Sequence, residues 1–173
     1  MPNLETDRLL IRPAVADDFE LVFRMQQDPE VMRYIRPPET DPEVVRGRMA
    51  MWLKYNEQNP GLGVFICLWK DTGEPAGNCV FRHVEYLPGN DLEVGYLILR
   101  PFWGQGLATE IVGALVRCAF EEMKAPKLLA YVDPENAASQ RVLQKNGFLL
   151  VGNKQIYGTE NFEFELLAQP TLP

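Results

Sequence analysis

Short apolar runs, each bounded by turn-forming residues, recur along the chain and predict extended strands. Branched and aromatic side chains dominate these runs, as they do in pleated sheets. The predicted strands cover residues 8–13, 63–69, 76–84, 92–99, 127–132, 148–151 and 162–167.

Apolar residues at helical spacing predict four helices between these strands. The first follows a possible capping box formed by Asp17 and Glu20, and the second follows Asp41 as its N-cap. The third is the longest and has an apolar face suited to packing on a sheet, and the fourth ends at Gly147. The predicted helices cover residues 17–27, 42–58, 105–123 and 136–146.

This order of elements predicts an α+β chain with a strand-helix-strand unit at its centre. The 173 residues are enough for one domain, which we expect over residues 1–173. A composition of 46% hydrophobic and 24% charged residues is typical of a folded globular protein. No apolar run approaches the ~20 residues that span a bilayer, and residues 1–5 do not resemble a signal peptide. We therefore expect a cytoplasmic protein without a membrane partner.

Charge and cysteine content exclude several classes of function. A net charge of −7 argues against nonspecific nucleic-acid binding, so we expect no nucleic-acid partner. Cys67, Cys79 and Cys118 are odd in number and lie in apolar segments, which argues against a disulfide framework or a zinc site. His83 is the one histidine, which excludes a histidine-rich metal site, and we expect no metal cofactor.

Candidate chemistry is concentrated in one glycine-rich loop between a predicted strand and the third helix. Glycines let the backbone turn tightly and approach a ligand, and a helix start presents unpaired amides with a positive dipole end. Such a loop suits a diphosphate. Its residues are Trp103, Gly104, Gln105, Gly106, Leu107, Ala108 and Thr109.

The glycine-rich loop has three alternative interpretations: a simple helix cap, a P-loop and part of a dinucleotide-binding fold. The glycines can simply cap a helix, and a phosphate-binding P-loop would need lysine where Leu107 follows Gly106. A dinucleotide-binding fold would need a third glycine at Thr109 and an acidic residue after the next strand, which Asp133 supplies. Only 40 residues follow Asp133, too few to complete a doubly wound sheet.

Three ordered motifs resemble the GNAT acyltransferases, and within them the RimJ/RimL-like group, which is similar to ribosomal-protein alanine N-acetyltransferases. They are residues 93–99, 102–110 and 136–148, and residues 6–12 fit the same group. The resemblance implies a mixed, mostly antiparallel central sheet of six to seven strands, splayed at the fourth and flanked by about four helices.

The resemblance also implies how acetyl-CoA is bound. Its pantetheine would pair, as an added strand, with the backbone of Leu97, Ile98 and Leu99, and its diphosphate would lie on the glycine-rich loop. Asn136 can be an ordinary N-cap, can hold the pantetheine with its amide as family asparagines do, or can do both. The superfamily's Gln or Arg three residues before the motif glycine is replaced by Trp103, as is common in the RimJ/RimL group.

The implied reaction transfers an acetyl group directly to a primary amine. Glu93 is the best candidate base, because strand alternation puts it on the face that leads toward the thioester, although it can equally be a solvated strand-end carboxylate. His83 is a second candidate base. Many relatives have an acidic tyrosine where this chain has Leu143, so the resemblance points to Ser139 as the acid. Ser139 can alternatively bond only a helix-start amide.

The acceptor amine is less constrained than the donor. An α-amino group with a pKa of about 7.7 to 8.0 is partly neutral near pH 7, so a weak base suffices for a protein or peptide N-terminus. Small amines such as amino acids, polyamines or antibiotics are the alternative, as is a non-catalytic CoA-binding sensor. Trp52, Tyr34 and Tyr131 are candidates for lining an acceptor pocket, and both a monomer and a homodimer are compatible with the sequence.

Overall fold

A computed structural model describes residues 4–85 and 88–168; the remaining residues of the expected 1–173 domain lie outside the described part. The strands are β1 (Leu4–Glu5), β2 (Leu9–Pro13), β3 (Gly63–Trp69), β4 (Pro75–His83), β5 (Leu92–Ile98), β6 (Lys127–Val132), β7 (Leu149–Ile156) and β8 (Thr159–Leu167). The helices are α1 (Phe19–Gln27), α2 (Pro29–Met32), α3 (Pro42–Gln58), α4 (Leu107–Arg117) and α5 (Ala137–Lys145).

The strands form one mixed sheet that opens in its middle. Their spatial order is β1-β2-β3-β4-β5-β6-β8-β7, and every neighbouring pair is antiparallel except β5 and β6. The β4–β5 ladder continues to Ile98, whereas β5 and β6 pair only at Leu92 with Leu128 and at Glu93 with Leu129. The two central strands therefore diverge after Glu93. The predicted α+β class and splayed sheet are confirmed, with eight strands in place of six to seven and the splay at the fifth strand, because β1 precedes the others.

Helices cover the sheet on both faces with two separate cores. On one face α4 and α5 pack on β4, β5 and β6 through buried residues such as Ile111, Leu115 and Leu143. On the other face α1 and α3 pack on β3 and on Leu97 of β5, with Met25 and Val45 at the centre. The opening between β5 and β6 therefore lies next to α4 and α5.

The first helix does not begin with the predicted capping box of Asp17 and Glu20. A short 3-10 turn precedes α1, and the N-cap residue is Asp18, which is 8% exposed. Its two carboxylate oxygens accept hydrogen bonds from Arg12 at 2.8 and 2.7 Å, and the backbone amide of Val15 donates a third at 2.8 Å. The buried Asp18 is therefore held by Arg12, and the exposed Asp17 is not the capping residue.

The third predicted helix is shorter than residues 105–123. Gly106 has a φ of 77°, a left-handed conformation outside the helix, so α4 begins at Leu107. After Arg117 the chain continues as a π-helical turn over Cys118–Glu122. The longest helix is α3 with 17 residues, not α4 with 11.

The three cysteines occupy the positions expected of small apolar side chains. Cys67, Cys79 and Cys118 are free and buried, as the sequence predicted. Among the helices of residues 4–85 and 88–168, none is long and apolar enough to cross a membrane.

Candidate active site

The glycine-rich loop presents backbone amides to open space. Gly104 and Gly106 have φ values of 73° and 77°, which favour glycine. A Cβ added to Gly104 would meet no atom within 4 Å, and no described side chain caps the start of α4. The amides of the first helical turn, at Leu107, Ala108 and Thr109, have no partner within the helix. The donor set and the open space suit a diphosphate.

Two side chains hold this loop on the sheet. The indole Nε1 of Trp103 donates to the carbonyl of Ile98 at 2.7 Å, which ties the loop to the last residue of β5. Arg8, which directly precedes β2, donates from Nη1 to the carbonyl of Gln105 at 2.9 Å. Trp103, which replaces the superfamily's Gln or Arg, therefore acts here as an anchor of the loop.

Glu110 in the first turn of α4 fixes the position of Arg8. Its carboxylate accepts from Nε of Arg8 at 2.7 Å, from the Arg8 amide at 2.9 Å, and from the hydroxyl of Thr6. Burial acts to raise the pKa of Glu110, but the bonds from Thr6 and Arg8 outweigh it and leave the pKa below its usual value. The ionised carboxylate of Glu110 therefore holds Arg8 in the position from which Arg8 bonds the glycine-rich loop.

The backbone that faces the opening belongs to alternate residues of β5. The amide of Leu99 donates to Ala76 at 2.9 Å, on the β4 side. In an antiparallel ladder alternate residues point their amides and carbonyls to opposite sides, so Leu97 also faces β4, while Tyr96 and Ile98 face the opening. Leu97 and Leu99, which were predicted to pair with the pantetheine, therefore present their backbone to β4. Tyr96, which was not predicted as a site residue, faces the opening.

A hydrogen bond crosses from β5 to the start of α5. The phenol of Tyr96 donates to Oγ of Ser139 at 3.0 Å, and the amide of Ser139 donates to Oδ1 of Asn136 at 3.1 Å. Asn136 is thus the N-cap, and Ser139 does not use its hydroxyl for capping. Burial raises the pKa of Tyr96, and the bond to Ser139 acts against that rise. Leu143 is 2% exposed in the core.

Glu93 is buried and bonded through both oxygens. It is 5% exposed, so it is not a solvated strand-end carboxylate. Nε of Arg82 lies 2.7 Å from Oε1, and the phenol of Tyr157 donates to Oε2 at 2.6 Å. Burial raises the pKa of Glu93, although Arg82 and Tyr157 act to lower it.

Tyr157 reaches Glu93 from the turn between β7 and β8. It has a φ of 58°, which is unusual for a bulky residue, and its ring contacts Tyr131 edge-on at a centroid distance of 6.2 Å. Tyr157 was not predicted as a site residue, because the predicted strands 148–151 and 162–167 are too short to meet in a hairpin at this turn. The available signal was Gly158, which follows Tyr157 at the turn.

The other candidates lie apart from Glu93. His83 follows Arg82 on β4 and so points to the opposite face, where its Nδ1 lies 2.8 Å from the hydroxyl of Tyr55. Trp52, on α3, packs against the core that α1 and α3 form with β3, and the guanidinium of Arg33 lies over the ring of Tyr34. Of the three predicted acceptor-pocket aromatics, Tyr131 is the one that the structure brings close to Tyr157 and Glu93.

Comparison with known proteins relates this geometry to one family. A family model described as an acetyltransferase (GNAT) domain matches residues 8–149. The N-acetyltransferase p20 of Bacillus licheniformis, itself named as uncharacterized, is 31% identical over 155 residues, or 86% of each chain. The crystal structure of an acetyltransferase from Agrobacterium tumefaciens superposes with a TM-score of 0.82 at 28% identity, over 96% of this chain and 94% of that one.

More distant structures share the fold and contain coenzyme A. One is a RimL ribosomal L7/L12 alpha-N-protein acetyltransferase, with a TM-score of 0.78 and 18% identity over 94% of this chain and 96% of that one. Another is the aminoglycoside acetyltransferase AAC(6')-Ib, with a TM-score of 0.78 and 16% identity over 92% and 94%. Because the family model spans most of the chain, this protein belongs to the GNAT acetyltransferases, which transfer an acetyl group from acetyl-CoA to an amine.

Proposed function

We propose that this enzyme acetylates the α-amino group of a protein or peptide N-terminus, as the RimJ/RimL-like group does. The observation that carries the proposal is the state of Glu93, whose two oxygens are bonded to Arg82 and Tyr157. Both oxygens of this carboxylate are already bonded, so it is poorly accessible as a base. It suits an acceptor amine that is already partly uncharged.

The pKa values of amines separate the candidate acceptors. With a pKa of about 7.7 to 8.0, about a third of α-amino groups are uncharged at pH 7.5, against about one lysine side chain in 800 with a pKa near 10.4. The uncharged fraction of the α-amine is therefore about 250-fold larger than that of lysine. An enzyme without a strong base therefore favours an N-terminus over a lysine or a polyamine.

Negative charge near Glu93 supports a cationic acceptor. Glu163 lies directly opposite Tyr131 in the β6–β8 ladder, and Glu165 lies opposite Leu129, the residue that pairs with Glu93. Strand alternation puts these two glutamates on the same face of β8. Glu165 also lies 3.7 Å from Nζ of Lys127, so the carboxylate of Glu163 is the one that attracts a peptide's ammonium terminus before it loses its proton.

In this proposal the donor is bound by the chain's own backbone and by the side chain of Asn136. The amides from Gly104 to Thr109 take the diphosphate, and Asn136 offers its amide nitrogen to the pantetheine. The backbone pairing assigned from sequence to Leu97, Ile98 and Leu99 becomes a pairing with Tyr96 and Ile98, because these residues face the opening.

Each chemical step of the proposed acetyl transfer is assisted by a group of the protein or by water. The uncharged amine attacks the thioester carbon, and the amide of Tyr96 stabilises the carbonyl oxygen, since the amide of Ile98 pairs with the pantetheine and the amide of Leu99 is bonded to Ala76. Ser139 donates a proton to the sulfur as the carbon–sulfur bond breaks. The amine nitrogen releases its proton to water or to Glu93.

A matched pair of peptides tests the acceptor. One peptide begins with a free alanine and contains no lysine, and the other has the same sequence with a blocked N-terminus and one added lysine. Thiol release from acetyl-CoA should give the free N-terminus a kcat/KM about 100-fold higher at pH 7.5. A higher kcat/KM for an aminoglycoside or a polyamine would overturn the proposal in favour of a small-amine acceptor. Coenzyme A binding without turnover of any amine would indicate a sensor.

A further inference from the structure

The hydrogen bond between Tyr96 and Ser139 is the feature that the family resemblance leaves unexplained. It joins residues 43 positions apart and connects β5 to the first turn of α5, across the point where the sheet opens. The ring of Tyr96 packs against the core formed with α4 and α5, so the phenol is held in place.

The direction of the bond leaves the proton of Ser139 available. Tyr96 donates, so the oxygen of Ser139 is the acceptor, and the serine's own hydrogen is not used in this bond. The neighbouring amide of Ser139 is bonded to Asn136, which fixes the backbone of that turn. Among the described residues, Tyr96 is the side chain that bonds the serine's oxygen.

A serine hydroxyl alone is a poor acid for a departing thiolate. A serine hydroxyl, like water, is a far weaker acid than a thiol, whose pKa is near 8.5, or a phenol, whose pKa is near 10. Proton transfer from an isolated serine hydroxyl to the thiolate is therefore strongly unfavourable, and transfer that ends on a phenol is much less so, even with the raised pKa of Tyr96. The position where many relatives carry a tyrosine is filled here by the buried Leu143.

We propose that Tyr96 positions Ser139 and replaces the proton that Ser139 gives to the sulfur. The phenol thereby supplies, through the serine, the acidity that a tyrosine at the position of Leu143 supplies in many relatives. This inference rests on the proposed function. As the carbon–nitrogen bond forms and the carbon–sulfur bond breaks, the electron pair stays on sulfur. Sulfur takes the proton of Ser139, and Ser139 takes the proton of Tyr96. The proton that the acylated nitrogen releases to solvent balances the phenolate, which regains a proton from water. Burial raises the pKa of Tyr96 and so favours the return of a proton to the phenolate.

Three variants test the relay: Tyr96→Phe, Ser139→Ala and the double variant. Tyr96→Phe keeps the ring and removes the hydroxyl, so kcat should fall about 100-fold while KM for acetyl-CoA stays unchanged. Ser139→Ala should cost at least as much, and the double variant should be no slower than Ser139→Ala. Incorporating 3-fluorotyrosine at position 96, which lowers the pKa of the phenol and keeps the ring, should move the alkaline limb of the kcat profile to lower pH.

Binding gives a measurement that does not depend on turnover. Calorimetry with CoA and with desulfo-CoA isolates the contribution of the thiol. In the parent protein CoA should bind about three- to tenfold tighter than desulfo-CoA, and both Tyr96→Phe and Ser139→Ala should reduce that ratio. Asn153→Ala is the matched control, since it removes a 2.6 Å side-chain bond to Glu160 on the exposed outer hairpin and should change neither kcat nor the ratio.

The outcomes separate this inference from the acceptor proposal. Parent-like kcat in Tyr96→Phe, or a double variant whose losses multiply, would overturn the relay. So would an unchanged CoA to desulfo-CoA ratio in a Tyr96→Phe protein that melts at the parent temperature. None of these results would alter the preference between the two peptides, which tests the acceptor alone.

Discussion

The phenol of Tyr157 donates a 2.6 Å hydrogen bond to Oε2 of Glu93 although the two residues are 64 positions apart. The bond connects the turn between β7 and β8 to the point where β5 leaves β6. Arg82 occupies the other carboxylate oxygen, and its guanidinium lies 5.7 Å from the centre of the Tyr157 ring. The three side chains form one bonded unit beside the opening, in which Glu93 is buried and Tyr157 is exposed.

Replacing Tyr157 by Phe should shift the acidic limb of the activity profile. The bond from Tyr157 lowers the pKa of Glu93, so its removal should raise that pKa further. If Glu93 must be ionised for activity, the acidic limb of kcat/KM then moves to higher pH. The profile is measured by thiol release between pH 5 and about 9, a range that spans the raised carboxylate and the α-amine.

The control for Tyr157 lies on the same hairpin. Asn153→Ala removes a hydrogen bond to Glu160, away from Glu93, and should leave the profile unchanged. A Tyr157→Phe enzyme with an unshifted acidic limb would show that Glu93 is a structural partner of Arg82 and that water takes the proton.

Replacing Asp18 by Ala should destabilise the fold strongly. The change removes three hydrogen bonds and leaves the guanidinium of Arg12, which is 27% exposed, without its carboxylate. Breaking such a partly buried pair costs about 3 kcal/mol. Urea unfolding measures the loss as a lower midpoint at constant slope.

Asp17 provides the comparison for Asp18. It is the adjacent residue with the same side chain, and it is exposed. Asp17→Ala should change the free energy of unfolding by less than about 0.5 kcal/mol. Equal losses at the two positions would mean that helix-end charge, not the pair with Arg12, accounts for the effect.

The bounds of an element were predicted correctly where they depend only on residues nearby in the sequence. The run of branched residues gave β3 and β6 with the bounds that the structure has, since both strands are buried in the sheet. Asp41 caps α3 as expected, because an aspartate before Pro42 satisfies a free amide.

Contacts between segments that are far apart in the sequence could not be predicted from local patterns. The choice between Asp17 and Asp18 depends on Arg12 in a neighbouring strand, and the bond from Tyr96 to Ser139 depends on where β5 leaves β6. Tyr157 reaches Glu93 only because the hairpin turn lies near that strand. The sequence indicated the donor-binding loop through its glycines, but the acid–base partners are long-range products of the sheet's geometry.

Replacing Glu110 by Gln should destabilise the protein in a pH-dependent way. The pKa of Glu110 is lowered in the fold, so the ionised form stabilises the native state. That stabilisation is fully present above the unfolded pKa of about 4.3 and is lost as pH falls through the lower folded pKa. The variant should therefore lose about 2 kcal/mol at pH 7, and the difference from the parent should shrink below about pH 4.

Thermal unfolding of both proteins across this range measures the difference. Glu121→Gln, which changes an exposed carboxylate after α4, is the control and should alter stability by less than about 0.5 kcal/mol at pH 7. A Glu110→Gln penalty that is constant from pH 7 to about pH 3 would contradict the role given to the ionised carboxylate.

Replacing Gly104 by Ala should weaken acetyl-CoA binding more than it weakens the fold. Gly104 has a φ of 73°, and Gly73, in the turn between β3 and β4, has a φ of 71°; a Cβ at either position meets no atom within 4 Å. Each substitution therefore carries the same backbone strain, about 1 kcal/mol. In the Gly104 variant the added methyl group also enters the space assigned to the diphosphate, so the Kd for acetyl-CoA should rise about tenfold or more. The Gly73→Ala protein should melt at the same reduced temperature and bind acetyl-CoA as the parent does. Equal affinities in the two variants would show that the diphosphate does not lie against Gly104.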